Sequence, residues 1–334
     1  MKILRQGMRA GLGRYFWLPA YTALVLGFVV PGDFNSGAWA GFWRTLVPFL
    51  LGGILYFTCL RLGMAELSAG VNRGLLLRVA WITPIRLALL AVVSWGLTLL
   101  IAPAWAPGVA LVSMMPAGLT SVAFADLYGG NRVLALAFVL VTSALCPFTV
   151  PPLLELFGAP AVAVAGDGSR AMLMVWRALY LLGLLTAPFV LAQATRAVAP
   201  AFVARHHHRW GRGAILSSTC LIFVSVVCNR HGWAAWGYGD MLLPLGLACM
   251  ACAVAVVASV AALRVLPRAD AMAFAAGAIY ANNGLGIAFA VSFFPGDPRM
   301  VLPGVLMQVP IVGGVALFGM LASRGAAKVE TVQR

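Results

Sequence analysis

Long apolar runs alternate with short polar segments along most of the chain, and each run is long enough to cross a bilayer as a helix. A transmembrane helix needs about 20 mainly apolar residues, and continuous runs favour helices over the alternating pattern of barrel strands. The pattern predicts an all-α polytopic membrane protein. We expect ten transmembrane spans, numbered in chain order, at residues 15–31, 45–62, 80–101, 107–128, 133–154, 171–194, 213–229, 241–263, 270–294 and 301–322.

Two of these spans are interrupted by short segments rich in Gly, Pro and Asn. Residues 115–121 interrupt span 4, and residues 281–286 interrupt span 9. Paired interruptions in two hydrophobic halves indicate a secondary transporter, whose broken helices meet near the bilayer midplane. An unwound backbone is tolerated there only where protein or water satisfies its amides and carbonyls. The breaks therefore predict a polar pocket between spans 4 and 9.

The ten spans divide into two halves of five. Residues 1–170 hold spans 1 to 5 and an external linker, residues 171–323 hold spans 6 to 10, and residues 324–334 form a cytoplasmic tail. Because five is an odd number, the second half is expected to be an inverted repeat of the first. Spans 4 and 9 then run in opposite directions, and their breaks can cross. Half-helices that begin there present partly positive amides, and half-helices that end there present carbonyls.

The composition and charge agree with a membrane protein. The chain is 62% hydrophobic and only 10% charged, with a mean hydropathy of +0.96, whereas soluble domains carry about 25% charged residues. With the N-terminus inside, most basic residues fall in cytoplasmic segments, as the positive-inside rule requires. This distribution explains the net charge of +14 without a nucleic-acid partner. We expect a bacterial inner (plasma) membrane protein with both termini cytoplasmic.

The polar side chains in and near the breaks are the candidate solute ligands, because polar groups at membrane depth commonly mark transport pathways. The residues expected to bind solute are Thr120, Ser121, Asn282, Asn283 and Gln308. The residues expected to break the helices are Pro116, Gly118 and Gly284. The alternative interpretation is that Pro116 and Gly284 only kink packed helices, since Pro and Gly are common in transmembrane segments.

The breaks resemble those of the bile acid:sodium symporter family and its bacterial relatives. In that family, span 4 carries a Pro-Gly-Gly-Thr-x-Ser-Asn type of break and span 9 a Gln-Asn-Ser-Gly-Leu type. The corresponding segments here are residues 116–122 and 281–285, and the Val150–Pro151 and Leu302–Gly304 segments also fit. The resemblance covers most of the chain. It implies ten helices in a core and a panel domain, and a transport function.

The chain departs from the family at the positions where the resemblance implies sodium ligands. An Asn in span 4 and a Glu and a Gln in span 9 correspond to Val122, Gly277 and Ala281, and the hydroxyl positions of span 5 to Ala135 and Val139. Because sodium prefers hard oxygen ligands, these replacements remove most of such a site. We expect no cofactor and a lost sodium site.

Two further hydroxyls and three charged residues bear on this expectation. A shift of one turn in span 5 would bring Thr142 or Ser143 to the break.

All nine acidic residues fall in loops or near helix ends, with Asp126 the deepest, so no carboxylate is available as a mid-membrane proton relay. Apart from Arg61 at the end of span 2, Arg86 and Arg177 are the only basic residues inside the predicted spans. We expect each to snorkel or to bind a carbonyl, with guidance of an anionic solute as the alternative.

These features predict a secondary transporter that moves a small or amphipathic organic anion by alternating access. A sodium-coupled symporter with a rebuilt cation site and a non-transporting membrane sensor are the alternatives. An enzyme is not expected, because the spans contain no paired carboxylates, metal ligands or activated nucleophile. The expected partners are the organic solute and the lipid bilayer, and a homodimer stays open.

Overall fold

The structure is a computed structural model that describes residues 18–30, 38–61, 70, 72–159, 170–234, 241–294 and 297–332. Apart from one isolated bridge, the regular secondary structure of these residues is helical. Within the described part of the chain, six helices are long and apolar enough to cross a membrane, and a pair bent by 42° near residue 312 would make a seventh. The protein is therefore an all-α polytopic membrane protein.

The helices follow the predicted spans closely. In chain order they are α1 (Leu18–Val29), α2 (Ala38–Cys59), α3 (Arg73–Ile101), α4 (Ala106–Ser113), α5 (Thr120–Leu127), α6 (Arg132–Leu156), α7 (Arg170–Val198), α8 (Pro200–Arg205), α9 (His207–Ala234), α10 (Leu242–Val265), α11 (Arg268–Ile279), α12 (Asn283–Phe293), α13 (Pro298–Leu306) and α14 (Gln308–Val332). Each predicted span contains helix. Two half-helices, α4 and α5, fill span 4, and α11 and α12 fill span 9. That all ten spans cross the bilayer stays a prediction.

Two segments predicted outside the spans, the external linker and the tail, differ in outcome. Most of the external linker, residues 160–169, lies outside the described residues. The segment predicted as a cytoplasmic tail continues α14 as helix to Val332. The division of the chain into two inverted repeats also stays a prediction.

The helices pack in two groups. Helices α1, α2, α7 and α9 pack on one another and form what we call the panel group. Helices α3 to α6 and α10 to α14 form the core group, which contains both broken spans. Panel helices carry strongly exposed apolar side chains such as Phe49 and Val198, as a lipid-facing surface requires. The packing agrees with the core and panel that the resemblance implies.

The broken helices are among the most deeply buried parts of the core group. Every residue of α11 from Asp270 to Ile279 is buried. Small residues allow close packing of the half-helices: a Cβ added at Gly108 in α4 would clash with the carbonyl oxygen of Arg299 in α13. Membrane helices commonly use small residues at such contacts, because they let backbones approach closely. The core group thereby holds the two breaks in fixed positions.

Candidate solute site at the crossing of the broken helices

The two breaks cross and hydrogen-bond to each other through their backbones. The Gly118 N–H donates to the Tyr280 carbonyl at 2.8 Å, and the Asn282 N–H donates to the Pro116 carbonyl at 2.8 Å. Ala117 pairs with Ala281 between these two bonds in an antiparallel bridge. Each break therefore satisfies backbone groups that the other break frees, which is what an unwound segment inside a membrane requires. The breaks meet, as the sequence pattern predicts.

Gly118 and Gly284 are needed for different contacts at this crossing. A Cβ on Gly118 would lie 3.0 Å from the Tyr280 carbonyl oxygen, so a side chain there would press on the crossing itself. A Cβ on Gly284 would lie 3.1 Å from Leu221 and 3.3 Å from Leu51, which belong to the panel group. The second break thus lies directly against the panel helices.

Thr142 on α6 supports the first break. Its hydroxyl oxygen accepts the Ala117 N–H at 3.2 Å, and the hydroxyl donates to the Phe138 carbonyl at 2.7 Å. Thr142 is wholly buried. The one-turn shift considered for span 5 is therefore the arrangement that brings a hydroxyl to the break.

Tyr280 is a site residue that the sequence analysis missed. Its hydroxyl lies beside the Thr120 side chain across the crossing, and its ring centroid lies 5.2 Å from that of Phe124. The available signal was a hydroxyl-bearing aromatic residue placed directly before the Ala-Asn-Asn-Gly break. An aromatic pair beside the crossing provides an apolar surface for an organic solute.

Two of the predicted ligands are buried polar groups without a partner. The Ser121 hydroxyl, which is 0% exposed, and both polar atoms of the Asn283 amide, which is 2% exposed, have no hydrogen bond among the described residues. Such groups are uncommon in native structures because each costs about 1–3 kcal/mol. Both lie in the first turn of a half-helix that begins at the crossing. They are the residues best placed to bind a polar group of a solute.

The other predicted ligands are less available. The Thr120 side chain lies beside the Tyr280 hydroxyl, and the Asn282 side chain caps α12 by accepting the Leu285 N–H at 3.2 Å. Gln308 is partly buried at the start of α14, and its side chain makes no hydrogen bond to the crossing within the described structure. The structure therefore brings Thr120, Ser121, Asn282 and Asn283 to the breaks, and no such contact joins Gln308 to them.

The positions that correspond to the family's sodium ligands do not fit a sodium ion. A Cβ added at Gly277 would lie 2.7 Å from ring carbons of Phe138, so that ring fills the place where an acidic side chain would project. Val122, Ala135 and Val139 are buried apolar residues. The described residues also contain no cluster of three His, Cys, Asp or Glu side chains suited to a metal. An oxygen-rich site is not formed at these positions.

Two arginines inside spans are buried rather than snorkelling. Arg86 is 1% exposed and donates to the Ser113 carbonyl at the end of α4, so the predicted carbonyl partner is present. Arg177 is ion-paired with Glu155 at 2.9 Å. Among the acidic residues, Asp270 lies near a helix end as predicted, but it is buried and paired with Arg78. This last pair joins α3 to α11 within the core group.

A separate apolar groove does not belong to this site. It has a volume of about 530 Å³ and lies between α10 and α14, where Cys252, Val256 and Gly314 are among its lining residues. None of the lining residues belongs to the breaks. Its apolar lining is typical of a lipid-facing surface rather than a polar solute site.

The crossing of two broken helices inside a polytopic membrane protein defines the class of the molecule as a membrane transporter. The chain matches the model of the Sodium Bile acid symporter family over residues 48–236, which is more than half of its length. The protein belongs to this family, whose members are transporters and not enzymes. The matched region contains the first break, and the second break lies beyond it. No curated protein matches the chain significantly.

Proposed function

We propose that the protein is a secondary carrier that moves a small or amphipathic organic anion across the membrane by alternating access. The observation that carries this proposal is the crossing of the two breaks, with the Ser121 hydroxyl and the Asn283 amide buried and unpartnered beside it. A solute that binds both groups would satisfy polar atoms that the protein leaves without hydrogen bonds.

The charge of the solute follows from the helix ends at the crossing. Helices α5 and α12 both begin there, and the N-terminus of a helix carries a partial positive charge and free amides. Ser121 and Asn283 lie in the first turns of these helices, so their hydrogen-bond donors add to the same electropositive region. Among the described residues, no carboxylate hydrogen-bonds either break. These features favour a carboxylate or another anionic group as ligand.

The apolar surroundings favour an organic solute over an inorganic ion. The Phe124 and Tyr280 rings lie on one side of the crossing, and Leu51 and Leu221 of the panel group lie next to Gly284. A ligand pocket usually combines such an apolar lining with a few polar groups that fix orientation. The proposed solute therefore has an anionic head and an apolar body.

The contacts between the two groups of helices support alternating access. Arg177 of α7, in the panel group, pairs with Glu155 of α6, and its guanidinium carbon lies 5.1 Å from the Phe294 ring centroid. Nearby, the hydroxyls of Tyr180 and Ser292 are 2.7 Å apart. These contacts lie at the end of the molecule that the charge bias assigns to the outside.

In the described packing, the panel helices make no comparable contact with α5 or α11. These are the half-helices on the other side of the crossing. Under this proposal, the arrangement corresponds to a carrier that is closed at its outer end. Transport would require the Arg177 contacts to open as the panel group rocks against the core group, with the crossing as the fixed site between two gates.

The test is ligand stabilisation of the purified full-length protein in detergent. Taurocholate and pyruvate would be added separately in matched sodium and potassium buffers, with the zwitterionic bile-acid derivative CHAPS as a control for detergent effects. A ligand at 100 times its dissociation constant stabilises by about 2.7 kcal/mol. Stabilisation by an anion in both salts supports the proposal. Stabilisation only in sodium would instead support the sodium-coupled alternative, and none by either anion would count against a carrier of these solutes.

A further inference from the structure

Arg86 occupies an unusual place in the core group. It lies within α3 in a single π-helical turn, Ile85–Leu89, directly after Pro84. A π-turn inside an α-helix interrupts the regular hydrogen-bond ladder and frequently occurs at functional sites. The Arg86 side chain is 1% exposed. A guanidinium this deeply buried in a membrane protein needs strong compensation.

The compensation comes from the end of a half-helix and not from a carboxylate. The Arg86 guanidinium donates to the carbonyl of Ser113, the last residue of α4. The C-terminal carbonyls of a helix lack intrahelical partners and carry a partial negative charge. Within the described structure no acidic side chain forms an ion pair with Arg86, whereas the equally buried Arg177 is paired with Glu155. The two arginines are thus buried for different reasons.

Each half-helix that ends at the crossing has one terminal carbonyl bound by a donor from another segment, but the two donors differ. The Tyr280 carbonyl, which follows α11, accepts the Gly118 N–H of the other break. The Ser113 carbonyl, at the end of α4, accepts the Arg86 guanidinium. In carriers with discontinuous helices, the carbonyl ends of half-helices commonly coordinate the coupling cation. Arg86 therefore stands where an electropositive partner of the half-helix is expected.

Arg86 is also close to the structural support of the first break. The Cys146 side chain of α6 is near enough to interact with it electrostatically. One helical turn earlier on α6, Thr142 accepts the Ala117 N–H within the break. The π-turn that carries Arg86 packs on α6, so it contacts the same helix that supports the crossing.

We propose that the Arg86 guanidinium is a built-in cation that holds the carbonyl end of α4 and lets this carrier bind its anionic solute without a metal cation. This inference rests on the proposed transport function, and it assigns Arg86 as a positioning residue. The apolar side chains at the family's sodium positions fit this assignment, because the positive charge is supplied by the chain itself.

The experiment compares three variants of Arg86. Arg86→Ala leaves a cavity of guanidinium size, Arg86→Lys keeps the charge, and Arg86→Met fills the space without charge. Leu87→Ala is the matched control, because Leu87 is buried in the same π-turn but is apolar. The melting temperature of each full-length variant would be measured in detergent with sodium, potassium or N-methylglucamine at equal ionic strength. Millimolar methylguanidinium would then be added as the probe.

We expect Arg86→Ala to melt about 5 °C or more below wild type and to be restored in part by methylguanidinium. Wild type, Arg86→Met and Leu87→Ala should not respond to methylguanidinium, and wild type should melt equally in the three salts. A structural packing role alone would lower the melting temperature without this cation response. The proposal is overturned if Arg86→Ala is as stable as wild type, if methylguanidinium has no effect on it, or if wild type is stabilised specifically by sodium.

Two further comparisons keep the test decisive. Should Arg86→Ala fail to fold, Arg86→Lys must melt above Arg86→Met, and the reverse order overturns the proposal. If taurocholate and pyruvate fail to stabilise wild type in any salt, the proposed function fails for these solutes. The methylguanidinium response still decides the role of Arg86 at the end of α4, so the two failures are distinguishable.

Discussion

Replacement of Asn283 by leucine separates the stability of the crossing from its function. Leucine has the same number of side-chain heavy atoms as asparagine and the same branching, but it has no polar atoms. In the unliganded protein the Asn283 amide is 2% exposed, and neither of its polar atoms has a hydrogen bond. A buried, unpartnered polar group costs about 1–3 kcal/mol. Asn283→Leu should recover free energy of unfolding of this order.

The corresponding rise in melting temperature is about 2–6 °C, at roughly 2 °C per kcal/mol for a large domain. The same substitution should abolish stabilisation by the anion, because it removes one of the two free polar groups at the site. The assay is thermal unfolding in detergent with and without taurocholate or pyruvate. Such a gain in stability with a loss of function is typical of residues kept for binding.

Asn72→Leu is the matched control. The Asn72 side chain is exposed and caps α3 by accepting the Leu75 N–H at 2.8 Å. Its replacement should lower stability by about 1 kcal/mol through loss of the cap and should leave anion binding unchanged. The reasoning is refuted if Asn283→Leu is less stable than wild type, or if it keeps the full response to the anion.

Three other substitutions test the crossing and the outer contacts. Thr142→Val removes the acceptor of a buried amide and should cost about 1–3 kcal/mol by thermal unfolding, whereas Thr149→Val, at a partly exposed helical position, should cost far less. Gly118→Ala should destabilise the crossing. In the control Gly96→Ala, the added Cβ meets nothing within 4 Å, so this change should stabilise α3 by about 0.5–1 kcal/mol. Equal melting temperatures for the two variants would contradict the close approach of Gly118 to the Tyr280 carbonyl. Arg177→Met should loosen the contacts at the outer end. On a Ser121→Cys background, it should increase labelling of Ser121→Cys by an impermeant thiol reagent added from the outside. Unchanged labelling would argue against an outer gate.

The course of the helices could be predicted because bilayer thickness imposes a length on every apolar run. Span 5 was expected at residues 133–154 and the helix runs from Arg132 to Leu156. The breaks were recognisable because Pro, Gly and polar residues cluster at corresponding places in the two halves of the sequence. Their meeting followed from the odd number of spans in each half.

The partners of the breaks could not be predicted in the same way, because a sequence pattern marks an interruption but not the side chain that lies opposite it. Phe138 fills the space beside Gly277 from a different helix, and no periodicity in either segment indicates that contact. The π-turn at Arg86 was equally hidden, since the sequence of span 3 predicts one regular helix. Gln308 was assigned to the site by its polarity alone, and no hydrogen bond in the described structure links it to the breaks.

The most direct test of the central claim is uptake of labelled taurocholate or pyruvate into proteoliposomes that contain the purified protein. The account predicts saturable uptake at equal rates in sodium and potassium, lost in Asn283→Leu and retained in Asn72→Leu. Uptake that strictly requires sodium would contradict the inferred role of Arg86 and indicate a rebuilt cation site. Equal uptake by Asn283→Leu and wild type would contradict the assignment of the solute site to the crossing of the broken helices.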